Sequence, residues 1–162
     1  RIIIKNKINT TNIYHNPLLS NTLQQEDISP HMDTFLDRIN KWKIEINSII
    51  NDVYEKEQIV AGYGASGRTN ILLTVMQQNF NFIFDDSNSK INNFIPLFHT
   101  QILNSNEIYN NNIKTVFLLA WPYSKYIIQK HTKFIENGGR FIIILPEIRE
   151  INITNINDYL HP

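Results

Sequence analysis

Residues Val60–Arg68, VAGYGASGR, contain the clearest structural motif of this sequence. Its glycines have the G-x-G-x-x-G spacing of a dinucleotide-binding turn, in which a strand leads into a helix whose N-terminus holds a phosphate. The apolar residues before the turn predict a short buried strand, and residues 69–76 after it predict a helix. Asp85 follows at the end of the next predicted strand, about 20 residues on, where that fingerprint places a ribose ligand.

Local geometry assigns a role to each glycine of the turn. The first glycine is predicted to allow the sharp turn, the second to let the backbone approach a phosphate, and the third to let the helix pack against the strand. Free N–H groups at the helix start favour an anion, and Arg68 would add a charge-assisted contact. The predicted nucleotide or cofactor site consists of Gly62, Gly64, Ala65, Ser66, Gly67, Arg68 and Asp85. The alternative is a tight strand-to-helix crossover that binds no ligand.

The rest of the chain alternates between strand and helix patterns. Strands are predicted at residues 80–84, 115–120 and 141–145, with a short one near 99–103, and helices at residues 33–57 and 122–137. We therefore predict an α/β fold: a Rossmann-like three-layer α/β/α domain with a mostly parallel sheet of about five strands, preceded by a long N-terminal helix. The predicted organisation is an arm or linker over residues 1–31, the domain over 32–150 and a C-terminal tail over 151–162.

The composition limits the classes of function. The 162 residues carry a formal net charge of zero and include no cysteine. No strong field is available to attract nucleic acid or an anionic membrane, and no thiolate metal site or disulfide can form. No apolar run approaches the roughly 18 residues that a membrane span needs. We expect no nucleic-acid partner, no membrane association, no metal and a cytoplasmic location. The chain starts at Arg1 without methionine, which indicates part of a longer polypeptide.

Several stretches together carry a family resemblance. They are GYGASGRTNILL (62–73), FIFDDSNSK (82–90), the spaced residues Phe94, Pro96 and His99, FLLAWPYSKYI (117–127) and FIENGGRFIIILPE (134–147). Over most of residues 33–150 the chain resembles the C-terminal domain of the sugar C-methyltransferases, three-domain enzymes that methylate nucleotide-linked deoxysugars. The resemblance implies that an upstream domain holds S-adenosylmethionine and the catalytic base. It also implies that this segment supplies the nucleotide-sugar half of the site.

Four residues outside the turn are candidate substrate contacts. Lys90 is a candidate phosphate partner, and His99 could donate to a diphosphate or act as a catalytic acid–base group. Trp121 could stack on a base or sugar, and Tyr123 could hydrogen-bond a phosphate or a sugar hydroxyl. Each of these side chains also fits a packing role or a solvated surface role.

These observations leave several functions open. In the first, the domain binds a nucleotide-linked sugar and works with an upstream domain of the same polypeptide or with a partner enzyme. In the second, the domain itself binds S-adenosylmethionine and is the sugar methyltransferase, with His99 as the base. In the third, it is a non-catalytic module that docks on a partner enzyme through the apolar face of helix 33–57. A nicotinamide oxidoreductase is the least favoured, because only Tyr126 and Lys130 approach the spacing of a catalytic pair.

Overall fold

A computed structural model of the chain describes residues 29–110 and 113–162. The chain divides into two compact units, Arg1–Arg38 and Ile39–Pro162, and the predicted arm over residues 1–31 lies almost entirely outside the described residues. The elements are α1 (Ser29–Glu57), β1 (Ala61–Tyr63), α2 (Gly67–Met76), β2 (Phe82–Asp85), β3 (Gln101–Asn104), β4 (Thr115–Leu118), α3 (Ser124–Lys130), α4 (Thr132–Glu136), β5 (Arg140–Ile143), β6 (Arg149–Ile151) and α5 (Ile156–Leu160), with 3-10 helices at Ser105–Tyr109 and Trp121–Tyr123. Among the described residues, no helix has both the length and the apolar character that crossing a bilayer requires.

The strands form one sheet in the order β3-β2-β1-β4-β5-β6. The first five of these strands run parallel, and β6 pairs antiparallel with β5. Strand order reverses at β1, which lies between β2 and β4, and such a switch point is where open α/β sheets bind ligands. The predicted mostly parallel α/β sheet is confirmed, with six strands in place of the expected five or so.

Two apolar layers cover the two faces of the sheet. Successive strand residues point to opposite faces, so Phe117 packs with the layer that holds α1 and α2, whereas Leu118 packs with the layer that holds α3, α4 and α5. Both side chains are fully buried. The sheet therefore has helices on both faces, which confirms the predicted three-layer arrangement.

The apolar face of α1 belongs to the core of its own chain. From Ile39 onward, Ile46, Ile50 and Val53 are buried against the sheet, and the Trp42 indole N–H donates to the Ile144 carbonyl at 2.7 Å. From Ile39 onward this face is therefore not free to dock on a partner, which corrects the premise of the docking-module hypothesis for that part of the helix. The helix begins at Ser29, before the predicted residue 33.

The C-terminal third differs from the sequence prediction at two places. The helix expected over residues 122–137 is divided into a 3-10 helix, α3 and α4, with the break at His131 (φ −111°, ψ 31°). Just after the break, the Thr132 hydroxyl donates to the Gln129 carbonyl at 2.9 Å, a local bond that competes with regular helix. The residues predicted as a tail, 151–162, include α5, and their Ile151 and Ile156 are buried in the second layer. Isolated apolar residues in such short segments leave no periodic signal.

Candidate functional site

The glycine turn joins the two central strands at the carboxyl edge of the sheet. The Gly64 N–H donates to the Phe84 carbonyl at 2.7 Å, on the side of β2. On the other side, the Ala120 N–H that follows β4 donates to the Tyr63 carbonyl at 3.0 Å. The turn is therefore fixed to both neighbours of β1, at the switch point of the sheet.

Gly62 and Gly67 do not have the roles predicted for them, and the sharp turn falls on Gly64. Gly64 makes the sharp turn, because its φ is +106° and a Cβ there would lie 2.4 Å from the Ala120 Cβ. Gly62 provides packing room, because a Cβ there would lie 2.7 Å from Leu119 Cδ1. No described atom lies within 4 Å of a Cβ built on Gly67, so the predicted helix–strand packing role of that glycine is wrong.

Asp85 lies at the predicted place, but its carboxylate is used within the chain. It accepts hydrogen bonds from the Ala65 N–H at 2.7 Å and the Ser87 N–H at 2.9 Å. The Lys90 ammonium, the candidate phosphate partner, pairs with it at 3.2 Å. The Asp85 side chain is only 11% exposed, so this carboxylate fixes the turn to the end of β2. The structure brings the turn, Asp85 and Lys90 together.

The start of α2 provides two backbone donors at the turn. The Ser66 N–H donates to the Thr69 hydroxyl oxygen at 3.1 Å, and the Thr69 N–H donates to the Ser66 carbonyl at 2.9 Å. The Gly67 and Arg68 amides come first in the helix and have no intrahelical acceptor, and within residues 29–110 and 113–162 no other group accepts from them. These two amides and the positive end of the helix dipole form an anion-binding position.

Arg68 and Trp121 meet across the switch point. The Arg68 guanidinium lies 5.5 Å from the centroid of the Trp121 ring, a cation–π distance. Arg68 is exposed at the start of α2, and Trp121 is half-buried directly after β4. Tyr123 is close in sequence, but its side chain is 62% exposed. Two of the predicted contact residues are therefore adjacent, on opposite sides of the edge where β1 and β4 end.

A groove extends from the turn along α2. One wall is formed by Ser66 and Gly67, and the other by Lys90, Phe94 and Pro96. The groove is shallow and open to solvent, with a volume of about 470 Å³. Of the predicted site residues, Ala65, Ser66, Gly67 and Lys90 thus line one concave surface.

The structure does not bring His99 to this groove. The segment before β3 folds back on that strand, with the Ile95 N–H donating to the Thr100 carbonyl at 2.8 Å. The Thr100 hydroxyl in turn donates to Asn79 at 2.6 Å, in the loop that precedes β2. His99 therefore lies at the amino edge of the sheet, with φ +53° in the tip of this fold-back, whereas the turn lies at the carboxyl edge.

A polar network on the α3 side of the edge has no counterpart in the sequence prediction. We call Tyr63, Asp86, Ser105, Tyr109, Lys130 and His131 the Asp86 network. The Tyr63 hydroxyl donates to Asp86 at 2.8 Å and lies 3.2 Å from His131 Nε2. Because the single hydroxyl proton of Tyr63 is donated to Asp86, His131 Nε2 must carry the proton of the Tyr63–His131 hydrogen bond. His131 Nδ1 is then unprotonated and accepts from the Tyr109 hydroxyl at 3.1 Å. Alternation along β1 could have indicated that Tyr63 faces this side, but no periodic signal marks His131.

The network holds its charges in a defined state. The pKa of His131 is lowered to about 4, chiefly by burial; the positive charge of Lys130 also lowers it, and Asp86 opposes the shift. For Asp86, burial raises the pKa, but the hydrogen bonds from Lys130, Ser105 and Tyr63 outweigh it and lower the pKa overall. At neutral pH the network therefore contains a neutral imidazole and an ionised carboxylate.

The His131 pKa predicts a loss of stability in mild acid. Its pKa of about 4 in the folded chain lies below the ordinary histidine value of 6.5, so the unfolded chain binds the proton first as the pH falls. The neutral ring contributes its full share to the free energy of unfolding above pH 6.5. This share, at most about 3 kcal/mol, is lost as the pH falls from 6.5 towards 4. Urea unfolding between pH 5 and pH 7 should show this slope in the wild-type chain and a smaller one in His131→Gln. The exposed His161→Gln variant should keep the wild-type slope, and equal slopes in all three proteins would contradict the prediction.

Comparison with known proteins confirms the resemblance. A family model described as the C-methyltransferase C-terminal domain matches residues 16–146. C-methyltransferase NovU from Streptomyces niveus is 31% identical over 113 residues, which are 68% of this chain and 27% of NovU. Among solved structures, UDP-D-quinovosamine 4-dehydrogenase from Vibrio fischeri is 17% identical with a TM-score of 0.41, over 60% of this chain and 95% of that one. The family match covers the turn, the groove and the Asp86 network, and the chain belongs to the family of C-methyltransferase C-terminal domains.

Proposed function

We propose that the chain is the nucleotide-sugar-binding domain of an S-adenosylmethionine-dependent sugar C-methyltransferase. One observation carries the proposal: the unpaired Gly67 and Arg68 amides and the Arg68 guanidinium stand together at the switch point. Backbone donors at a helix N-terminus and a guanidinium are the groups that proteins use for phosphate oxygens. A diphosphate at this position would lead its nucleoside towards the end of β2.

The same groups fit S-adenosylmethionine less well. That cofactor supplies a methyl group from a positively charged sulfonium, and its amino-acid portion carries both an ammonium and a carboxylate, so its net charge is positive whereas that of a nucleotide diphosphate is negative. The turn presents the positive end of a helix dipole and Arg68, which favour a negative ligand over a positive one. We therefore propose that the methyl donor is bound by an upstream domain of the same polypeptide or by a partner enzyme.

Methylation at carbon is supported by the name of the relative, a C-methyltransferase. The candidate base of the alternative function, His99, lies at the amino edge of the sheet, whereas the turn lies at the carboxyl edge. This position of His99 favours an arrangement in which the present domain binds and orients the nucleotide-sugar, and another domain removes the proton from the carbon that is methylated. The alternative, that this domain itself binds S-adenosylmethionine, is an outcome of the experiment that follows.

Calorimetric titration of the chain with UDP-glucose, dTDP-glucose and S-adenosylmethionine tests the proposal. We expect a nucleotide-sugar to bind, and Arg68→Ala to weaken that binding about tenfold, because a charge-assisted bond to the diphosphate is lost. The matched control is Lys125→Ala, which removes an exposed cation from α3 and should leave the affinity unchanged. Binding of S-adenosylmethionine without any nucleotide-sugar would contradict the proposal and favour the domain as an enzyme in its own right.

A further inference from the structure

Two consecutive carboxylates follow the end of β2, and they differ in how many acceptor positions they have left. A carboxylate offers about four lone-pair positions. The oxygens of Asp85 receive four contacts, from the Ala65 N–H, the Ser87 N–H and Lys90, whose ammonium reaches both oxygens at 3.2 and 3.4 Å. Three donors of the described part of the chain therefore occupy both oxygens of Asp85.

Asp86 has an open position. Within residues 29–110 and 113–162, its Oδ1 accepts from Ser105 and Lys130, whereas its Oδ2 accepts only from the Tyr63 hydroxyl at 2.8 Å. The side chain is 40% exposed, against 11% for Asp85. Beside it, the Lys130 side chain is 33% exposed and supplies a donor within the same surface. Paired acceptor and donor groups are what a sugar hydroxyl needs, because it donates one bond and accepts others.

We infer that Asp86, and not Asp85, binds the ribose hydroxyls of the nucleotide, with Lys130 as its neighbouring donor. The inference rests on the proposed function, which places a diphosphate at the start of α2 and its nucleoside at the end of β2. Tyr63 is a positioning residue, since its hydroxyl orients the carboxylate and is itself held by His131. Asp85 keeps the turn in shape and does not contact the ligand.

The test is a comparison of nucleotides with and without ribose hydroxyls. UDP and dTDP, each beside its 2′,3′-dideoxy analogue, are titrated calorimetrically into the 162-residue chain. For the wild type we expect the dideoxy analogue to bind about tenfold more weakly than its parent, as for a hydrogen bond to a charged group. Asp86→Asn should bind parent and analogue within about twofold of each other, because the charged acceptor is gone. Asp85→Asn should keep the wild-type discrimination.

Two further variants separate a ligand contact from a structural effect. Asp52→Asn disrupts an exposed aspartate–lysine pair on α1 and should change neither affinity nor discrimination. Tyr63→Phe keeps the ring but removes the orienting hydroxyl, so it should reduce the discrimination without abolishing binding of the parent nucleotide. Discrimination that survives Asp86→Asn, or that is lost in Asp85→Asn, overturns the inference and leaves nucleotide binding intact. If the wild-type chain binds neither UDP nor dTDP, both the inference and the proposed function are overturned.

Discussion

Gly64→Ala is expected to destabilise the domain by about 3 kcal/mol or more, the largest effect of any single methyl group added to the turn. The added Cβ would lie 2.4 Å from the Ala120 Cβ and 3.0 Å from the Ala120 backbone nitrogen. Backbone cannot rotate away as a side-chain tip can, and the φ of +106° is itself unfavourable for alanine. Both costs apply at the contact that joins β1 to β4, so the sheet itself must move.

The other two glycines of the turn provide matched controls for the same chemical change. Gly62→Ala meets Leu119 Cδ1 at 2.7 Å, the end of a flexible side chain, and should cost less than Gly64→Ala. Gly67→Ala enters open space at the first position of α2 and should be neutral or slightly stabilising, by about 0.5 kcal/mol. Urea unfolding followed by circular dichroism measures all three. Equal midpoints for the Gly64 and Gly67 variants would show that the close approach to Ala120 does not constrain the fold.

The fold could be predicted because its main signals are local. Continuous apolar runs such as residues 141–145 mark strands that are buried on both faces, and the glycine spacing marks the turn between β1 and α2. The helix α1 was visible from its apolar spacing over residues 33–57. Such signals need no knowledge of what packs on them, so they locate the central elements correctly to within a few residues.

The parts that escaped prediction depend on contacts between distant residues. His99 matched a family spacing, but its place at the amino edge follows from the fold-back of residues 92–95 on β3, where the Asn92 N–H donates to the Ile102 carbonyl at 2.9 Å. The Asp86 network joins residues from β1, the end of β2 and the break after α3. A count of spacings along one element cannot show such a meeting, and the use of Asp85 by the turn is invisible for the same reason.

Asp85→Ala is expected to lower stability by about 3 kcal/mol and to weaken nucleotide-sugar binding more than tenfold, although Asp85 does not touch the ligand. The Ala65 N–H, in a residue that is 4% exposed, would lose its carboxylate acceptor and be left without one. The Ser87 N–H would lose the same partner. The Lys90 side chain is 42% exposed, so breaking its ion pair with Asp85 adds little to the loss of stability. The loss of binding follows because the amides of the turn would no longer be held in position.

The mechanism of this effect can be separated from a direct ligand contact. Asp85→Asn retains an oxygen that can accept from the Ala65 N–H, so it should recover most of the stability and most of the nucleotide-sugar affinity. Lys90→Met removes the ion pair but leaves both backbone bonds to Asp85, so its unfolding midpoint should stay near that of the wild type. Amide hydrogen exchange at Ala65 reports the bond itself: fast exchange is expected in Asp85→Ala and slow exchange in Asp85→Asn and Lys90→Met. Slow exchange in Asp85→Ala, together with lost binding, would instead make Asp85 a ligand contact and transfer the role argued for Asp86 to it.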